Sequence, residues 1–520
     1  MISAQSTVPC PAPAGSTPHQ RRRIAVIGGG ASATAFLVAL VKQISAESVV
    51  EAPDVVVFEP DGPCGPGFAY RDDTDSALLN RPVSAMSVDY GDRGHFRRWL
   101  GQHGPATART DAGSALFAPR SSFGRYLADV FATACRDLGN LGGSVEVVRE
   151  PVREVQPTAE RCAVGPERSA PRWVDDVILC LGSLPARDVY RLSGAPGYLH
   201  QPYPVQQSAH AVPHGGEVLV LGSGLTAIDV ALELGRRTDG VRVTLGSRSG
   251  ALPDVRCDLG AGDCARELVE DVRRMFAQRE TISLKDLAGL LDGELSRRGT
   301  TLREALRPFL ARTGGDELLR TRLGEPGPAA AVQRCIVALT PWYSRLWRAL
   351  DRASGKAFTR RYSRVFTCLR SPMPPVNARR LLALADSGRL SFRAGILDVR
   401  AEDRHFRALY RGGQERRYDV VVNATGRGID VSAARPGTLV ETLTRSGFAR
   451  PHPLGGLDVD PDTNEVLDAC GVPIPRLHIV GDLSSGVHFH TSSMEYAATQ
   501  AGRVAERVAS RLPTRAGVLL

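Results

Sequence analysis

Two short glycine turns, each set between an apolar strand-like run and an apolar helix-like run, constrain this 520-residue chain more than any other feature. The first runs Ile24-Ala25-Val26-Ile27, then Gly28-Gly29-Gly30-Ala31-Ser32-Ala33, then an apolar helix from Thr34 to about Ile44. The second runs Glu217-Val218-Leu219-Val220-Leu221, then Gly222-Ser223-Gly224-Leu225-Thr226-Ala227, then an apolar helix through Gly235. In the pattern G-x-G-x-x-A, Gly28 permits the tight bend, Gly30 lets the backbone approach a pyrophosphate, and Ala33 lets helix and strand pack closely. The helix that follows offers free N–H groups and a positive dipole end to the phosphates. A lone turn of this kind is weak; two in register with strands and helices predict an α/β chain with two Rossmann-like dinucleotide-binding domains.

The strand that follows each turn separates the two ligands. Val55-Val56-Val57-Phe58 ends in Glu59, whose carboxylate can accept hydrogen bonds from both ribose hydroxyls of an adenosine. Val241–Leu245 ends instead in Gly246-Ser247-Arg248-Ser249, with no acid at its tip. An acid there would repel a 2′-phosphate, whereas Arg248 can pair with one, so the second turn is expected to take NADPH rather than NADH.

Composition removes other classes. Apolar residues at 42% and charged residues at 23% are ordinary for a globular enzyme. The net charge of +9 is spread among interleaved acids and accompanies no stacked-aromatic module or Cys/His finger, so anionic small ligands are expected and nucleic acid is not. The ten cysteines show no C-x-x-C pair or zinc-like spacing and read as reduced structural thiols, which implies a cytoplasmic address. No run of 18 apolar residues suggests a membrane span, and residues 1–20 lack the pattern of a secretory signal and read as a loose tail.

The order of the first turn, Leu181-Gly182-Ser183 after Val177–Cys180, the second turn, Val420-Val421-Val422-Asn423-Ala424-Thr425-Gly426, then Leu477-His478-Ile479-Val480-Gly481-Asp482 resembles the two-dinucleotide-binding-domain flavoproteins. The blocks Gly65-Pro66-Gly67-Phe68-Ala69-Tyr70, Leu78 to Ser87 and Phe96-Arg97-Arg98-Trp99-Leu100 are similar to an FAD-NAD(P)-binding family that includes nitrosuccinate-forming aspartate N-monooxygenases. The resemblance implies that Gly28, Gly30, Ala33, Glu59 and Asp482 bind FAD, that Gly222, Gly224 and Arg248 bind NADPH, and that Asn80, Met86 and Ser87 lie around the flavin ring. It also implies an FAD domain of residues 21–200 and 433–512, interrupted by an NADPH domain of 201–432 that carries a helical insertion over about 252–390, and a tail from 513 to 520. The stretch Gly197 to Tyr203 departs from the Baeyer–Villiger fingerprint, which argues against ketone or sulfide oxygenation.

An enzyme of this kind leaves the difficult chemistry to the flavin and O₂, and the protein positions NADP⁺, excludes water and presents the substrate uncharged. His488 and His490, just beyond Asp482, are the candidate catalytic side chains. The leading expectation is N-oxygenation of the amine of a small amino acid such as aspartate. The alternatives are a flavin reductase that inserts no oxygen, and a non-catalytic flavin or nucleotide sensor. The missing C-x-x-C argues against the disulfide-reductase branch.

Overall fold

The computed structural model describes residues 21–46, 49, 51–104, 117–259, 265–310, 314–324 and 327–513. The tail expected at 1–20 and the residues after Pro513 lie outside these, as do Cys10 and Cys264.

The strands, in chain order, are β1 (Arg23–Ile27), β2 (Asp54–Phe58), β3 (Ser144–Val148), β4 (Val152–Pro157), β5 (Cys162–Pro166), β6 (Arg172–Val174), β7 (Asp176–Leu179), β8 (Tyr198–Leu199), β9 (Glu217–Leu221), β10 (Arg242–Ser247), β11 (Leu390–Ala394), β12 (Ile396–Glu402), β13 (His405–Tyr410), β14 (Glu415–Tyr418), β15 (Val420–Asn423), β16 (Glu465–Leu467) and β17 (Pro473–Ile479). The first sheet has the order β16-β17-β7-β1-β2-β3, parallel except for β16. The second has the order β11-β10-β9-β15-β8 and is parallel throughout. All strands of the second sheet come from chain between β7 and β16, so one unit is inserted in the other.

The two units repeat one plan. Each runs strand, glycine turn, helix and parallel strand, and each later adds a three-stranded antiparallel sheet, β4-β5-β6 or β12-β13-β14, before the strand that returns beside the first. Ile24, Ala25 and Val26, like Val218, Leu219 and Val220, are fully buried, because a parallel sheet is covered on both faces and its strands therefore read as unbroken apolar runs. On one face of the first sheet, Ile24 and Val26 pack under the helices Ala31–Ala46, Arg120–Asn140 and Met494–Ala509. On the other, Ala25 and Ile27 pack with the β4-β5-β6 layer and the chain from Val431 to Val487. Each fully buried Phe36 or Leu40 contributes roughly 2 kcal/mol of apolar transfer free energy.

Between β10 and β11 the chain forms a helical insertion running from Arg266–Gln278 to Pro375–Asp386. Its apolar side is continuous with the core of the second domain, from Leu268 and Val272 through Cys368 and Leu381. A buried ion pair, Arg322 Nε to Asp254 Oδ1 at 2.9 Å, fastens it to the chain leaving β10, and Gln333 donates to the carbonyl of Val255.

Candidate functional site

The two glycine turns are superposable in their logic. Gly28 has φ +97°, and a Cβ there would fall 2.4 Å from the carbonyl oxygen of Cys180. Gly222 has φ +121°, and a Cβ there would fall 2.2 Å from the carbonyl of Ala424. In each case the first glycine passes beneath the end of the returning strand, which is why Leu181-Gly182 and Ala424-Thr425-Gly426 sit where they do. A side chain is excluded twice, by the backbone conformation and by the neighbour.

At the first turn, the Gly29 amide donates to Glu59 Oε2 at 2.8 Å, and the Asp61 amide to Oε1 at 3.1 Å. These bonds hold the Glu59 carboxylate at the turn. The Gly65 amide donates to the Gly29 carbonyl at 2.7 Å, and Gly67 comes so near Gly30 that a Cβ on Gly30 would lie 3.1 Å from its Cα. The loop after β2 therefore folds over the turn with bare backbone on both sides, a cradle that fits a pyrophosphate. Ala33 is fully buried where the helix meets the sheet.

At the second turn Gly224 caps the helix Leu225–Gly235, and the space over its Cα is open except for Arg364 Nη1, 3.9 Å from a built Cβ. Arg364, from the insertion, donates to Ser223 Oγ at 2.9 Å and also to the carbonyl of Ala251. Ser223 Oγ lies 3.1 Å from Ser247 Oγ at the tip of β10. Arg248, the next residue, is exposed at the same tip.

Asp482 follows β17 and is buried against Ser183, Arg427 and Thr491, all of which donate to its carboxylate, Thr491 Oγ1 at 2.8 Å. Gly481, with φ +109°, approaches Ser32 Oγ of the first turn so closely that a Cβ would lie 2.8 Å away. The strand end carrying Asp482 is thereby placed directly beside the N-terminus of the first-turn helix.

The segment beyond Asp482 is where first domain, second domain and insertion meet. Phe489 has φ +68°, a strained value for a residue with a side chain, and its ring stacks on Trp347 at 4.6 Å between centroids. Phe358 and Phe366 close around the same ring, and Trp347 Nε1 donates to the Gly486 carbonyl at 2.8 Å. The bend at Phe489 sends the two flanking histidines to different surroundings. His488 is fully buried with Nδ1 3.0 Å from Ser344 Oγ, and burial pushes it down to about 3. His490 keeps part of its surface open and is held well below the usual histidine range by burial and by Arg370, Arg427 and Arg81.

These arginines do not all have counter-charges. Arg81 pairs with Glu495 at 2.8 Å, and Arg427 pairs with Asp482. Arg256 donates to the Asn80 carbonyl at 2.8 Å, and Arg370 lies over the Tyr343 ring at 5.8 Å; neither has a carboxylate within ion-pair distance among the described residues. Burial lowers Arg256 to about 9 and lowers Arg370 as well, and the Arg370 Nε is buried with no hydrogen-bond partner. Tyr343 also meets His490 edge-on, so Arg370, with no carboxylate in ion-pair contact, borders the same region as His490, and Arg256 lies next to Arg370.

Residues 25–184 match the model of a family described as FAD-NAD(P)-binding. Over 95% of this chain and all of theirs, the coordinates superpose on an ornithine N-hydroxylase from Kutzneria sp. 744 with a TM-score of 0.57 and 15% identity. The L-lysine 6-monooxygenase of Pseudomonas syringae gives 0.58 at 17% identity over 94% of this chain and 99% of that one. A cadaverine monooxygenase from Erwinia amylovora, solved with FAD, gives 0.55 at 12% over 95% and 96%. The chain has the fold of the two-dinucleotide-binding-domain flavoproteins, headed by an FAD-NAD(P)-binding domain. No curated protein matches its sequence significantly.

In this fold the glycines, Glu59 and Asp482 gather along the carboxyl edges of the two sheets. Asn80 stands at the domain junction, its carbonyl held by Arg256. Met86 is buried in the core beneath the first sheet, and the Ser87 hydroxyl is spent on the carbonyls of Asp89 and Asp92. Sequence reasoning singled out neither Arg370 and Arg256 nor the role of Arg364. The run Arg360-Arg361-Tyr362-Ser363-Arg364 is basic throughout, and nothing local distinguishes Arg364, which turns inward, from Arg360 and Arg361, which stay exposed.

Proposed function

We propose that this flavoprotein is an FAD-dependent, NADPH-consuming monooxygenase that N-oxygenates the amine of a small amino acid, such as aspartate or a related metabolite. The observation that carries the substrate assignment is the pair of arginines with no carboxylate within ion-pair distance, Arg370 beside His490 and Arg256 next to Arg370. An unpaired buried cation is costly, so its retention fits a site completed by an anion. Arginine meets a carboxylate through two parallel hydrogen bonds, which also fixes the substrate's orientation. The same positive region disfavours a cationic diamine.

FAD reduced by NADPH supplies the activation of O₂; the chain supplies the rest. Gly28, Gly30, Glu59 and Asp482 hold FAD, and Gly222, Gly224 and Arg248 hold NADPH. The aromatic closure of Trp347, Phe358 and Phe366 on Phe489 excludes water. Burial first, and then Arg370, keep His490 neutral, and a carboxylate arriving beside Arg370 offsets the cationic part of that effect and raises the basicity of His490. It then accepts the proton that frees the substrate's amine lone pair. His488, enclosed and bonded to Ser344, positions the segment.

The test is NADPH consumption by the yellow protein under air with a panel of acidic, neutral and basic amino acids, followed by product mass. Substrate-dependent oxidation that yields an N-oxygenated acidic amino acid supports the reading. Oxidation with peroxide release alone, whatever is added, would favour the reductase reading, and a protein whose flavin NADPH does not reduce would favour a sensor.

A further inference from the structure

We infer that Arg364, supplied by the helical insertion, is a pyrophosphate-binding residue of the second dinucleotide site; this rests on the reading of that turn as the NADPH site. The residue lies 140 positions beyond the turn, yet its guanidinium reaches Ser223 and the Ala251 carbonyl and stands over Gly224, where the turn otherwise opens to space. It has no acidic partner within ion-pair distance among the described residues. Both acceptors are neutral, so a phosphate oxygen at the helix N-terminus would be the stronger partner for the same N–H groups.

The local backbone is built to aim it. Immediately before the helix Ser363–Arg370 the chain makes a π-helical turn, Phe358–Tyr362. Such a turn holds one residue more than an α-turn, which rotates everything after it by about 100° around the axis. Arg364 is thereby directed at the second turn, while Arg360 and Arg361 remain outside. On the same helical stretch Phe358 and Phe366 grip Phe489, one residue from His490. Phosphate binding at Arg364 therefore ties the nucleotide to the element that closes over the FAD-side segment.

The pyrophosphate is common to NADPH and NADH, whereas the 2′-phosphate is not, and this separates Arg364 from Arg248. The experiment is equilibrium titration of FAD-loaded wild type, Arg364→Ala, Arg364→Lys and Arg248→Ala with NADP⁺ and with NAD⁺. Arg364→Ala is expected to weaken both dinucleotides by a similar factor of about 10 to 100, with partial recovery in Arg364→Lys. Unchanged affinity for both in Arg364→Ala, at wild-type flavin content, would overturn the inference while leaving the functional reading intact. Loss confined to NADP⁺ would also overturn it, by moving Arg364 to the 2′-phosphate. If Arg364→Ala does not fold, Arg364→Lys and Arg364→Gln decide by the same ratio. A wild type that binds neither dinucleotide would remove the functional reading and this inference with it.

Discussion

Arg120 Nε lies 3.2 Å from Asp229 Oδ2, and this buried pair joins the long helix of the first domain to the turn helix of the second. Tyr203 donates to the same oxygen at 2.7 Å. Nearby, Thr74 and Ser76 donate to Glu233 at 2.6 and 2.7 Å, again across the junction. These largely buried bonds tie the two cradles together across the junction. Because removing one partner strands a buried charge, Asp229→Ala should cost on the order of 3–5 kcal/mol and lower the thermal midpoint clearly. Tyr203→Phe should cost about 1 kcal/mol. Scanning calorimetry of the FAD-loaded variants checks both.

Gly28→Ala and Gly222→Ala should have separable effects. Each adds a Cβ that overlaps a backbone carbonyl that cannot move without its strand. Gly28→Ala should yield protein with little bound flavin, read from the ratio of absorbance near 450 and 280 nm. Gly222→Ala should remain yellow but fail to be reduced by NADPH.

Arg248→Ala should weaken NADPH by about tenfold or more while NADH changes little, since only the 2′-phosphate is lost as a partner. Equal losses for both would move the phosphate contact elsewhere.

Arg370→Met should stabilise the protein while damaging its activity. The substitution fills similar volume and removes a buried cation that has no carboxylate in ion-pair contact and an unbonded Nε, so the thermal midpoint should rise, by an equivalent of about 1 kcal/mol or more. The KM for an acidic amino acid should increase at least tenfold, with flavin content unchanged. A lower midpoint would show that Arg370 is a structural group.

Acid should destabilise the fold through its enclosed histidines. Burial pushes His478 down to about 4 and His488 to about 3, whereas the unfolded chain protonates them near 6.5. Between those values the unfolded state binds more protons, so stability is full above pH 6.5 and falls as pH drops toward 3. Each group contributes up to about 1.4 kcal/mol per pH unit. His488→Gln should flatten the pH dependence of the denaturation midpoint over that window.

What was legible in the sequence was what is local. A strand, a glycine turn and a helix occupy some twenty consecutive residues, and the physical demands of that unit, positive φ at Gly28 and Gly222 and small side chains at the bend, fall on named positions within it. The strands that close each domain were readable for the same reason, as uninterrupted apolar runs before Leu181 and Ala424. Asp482 entered through resemblance, and the structure places its neighbour Gly481 against Ser32.

Tertiary structure alone decided the rest. Arg81, Arg256, Arg370 and Arg427 come from separate parts of the chain, and none has a local pattern that distinguishes it from a solvated surface arginine. Their meaning arises from packing, which removes water and leaves two of them without a counter-charge. The split between His488 and His490 likewise depends on one backbone angle at Phe489 and on the aromatic rings that hold it, contributed from more than a hundred residues away. Electrostatic consequence depends on distance and burial, and neither is written in the order of the residues.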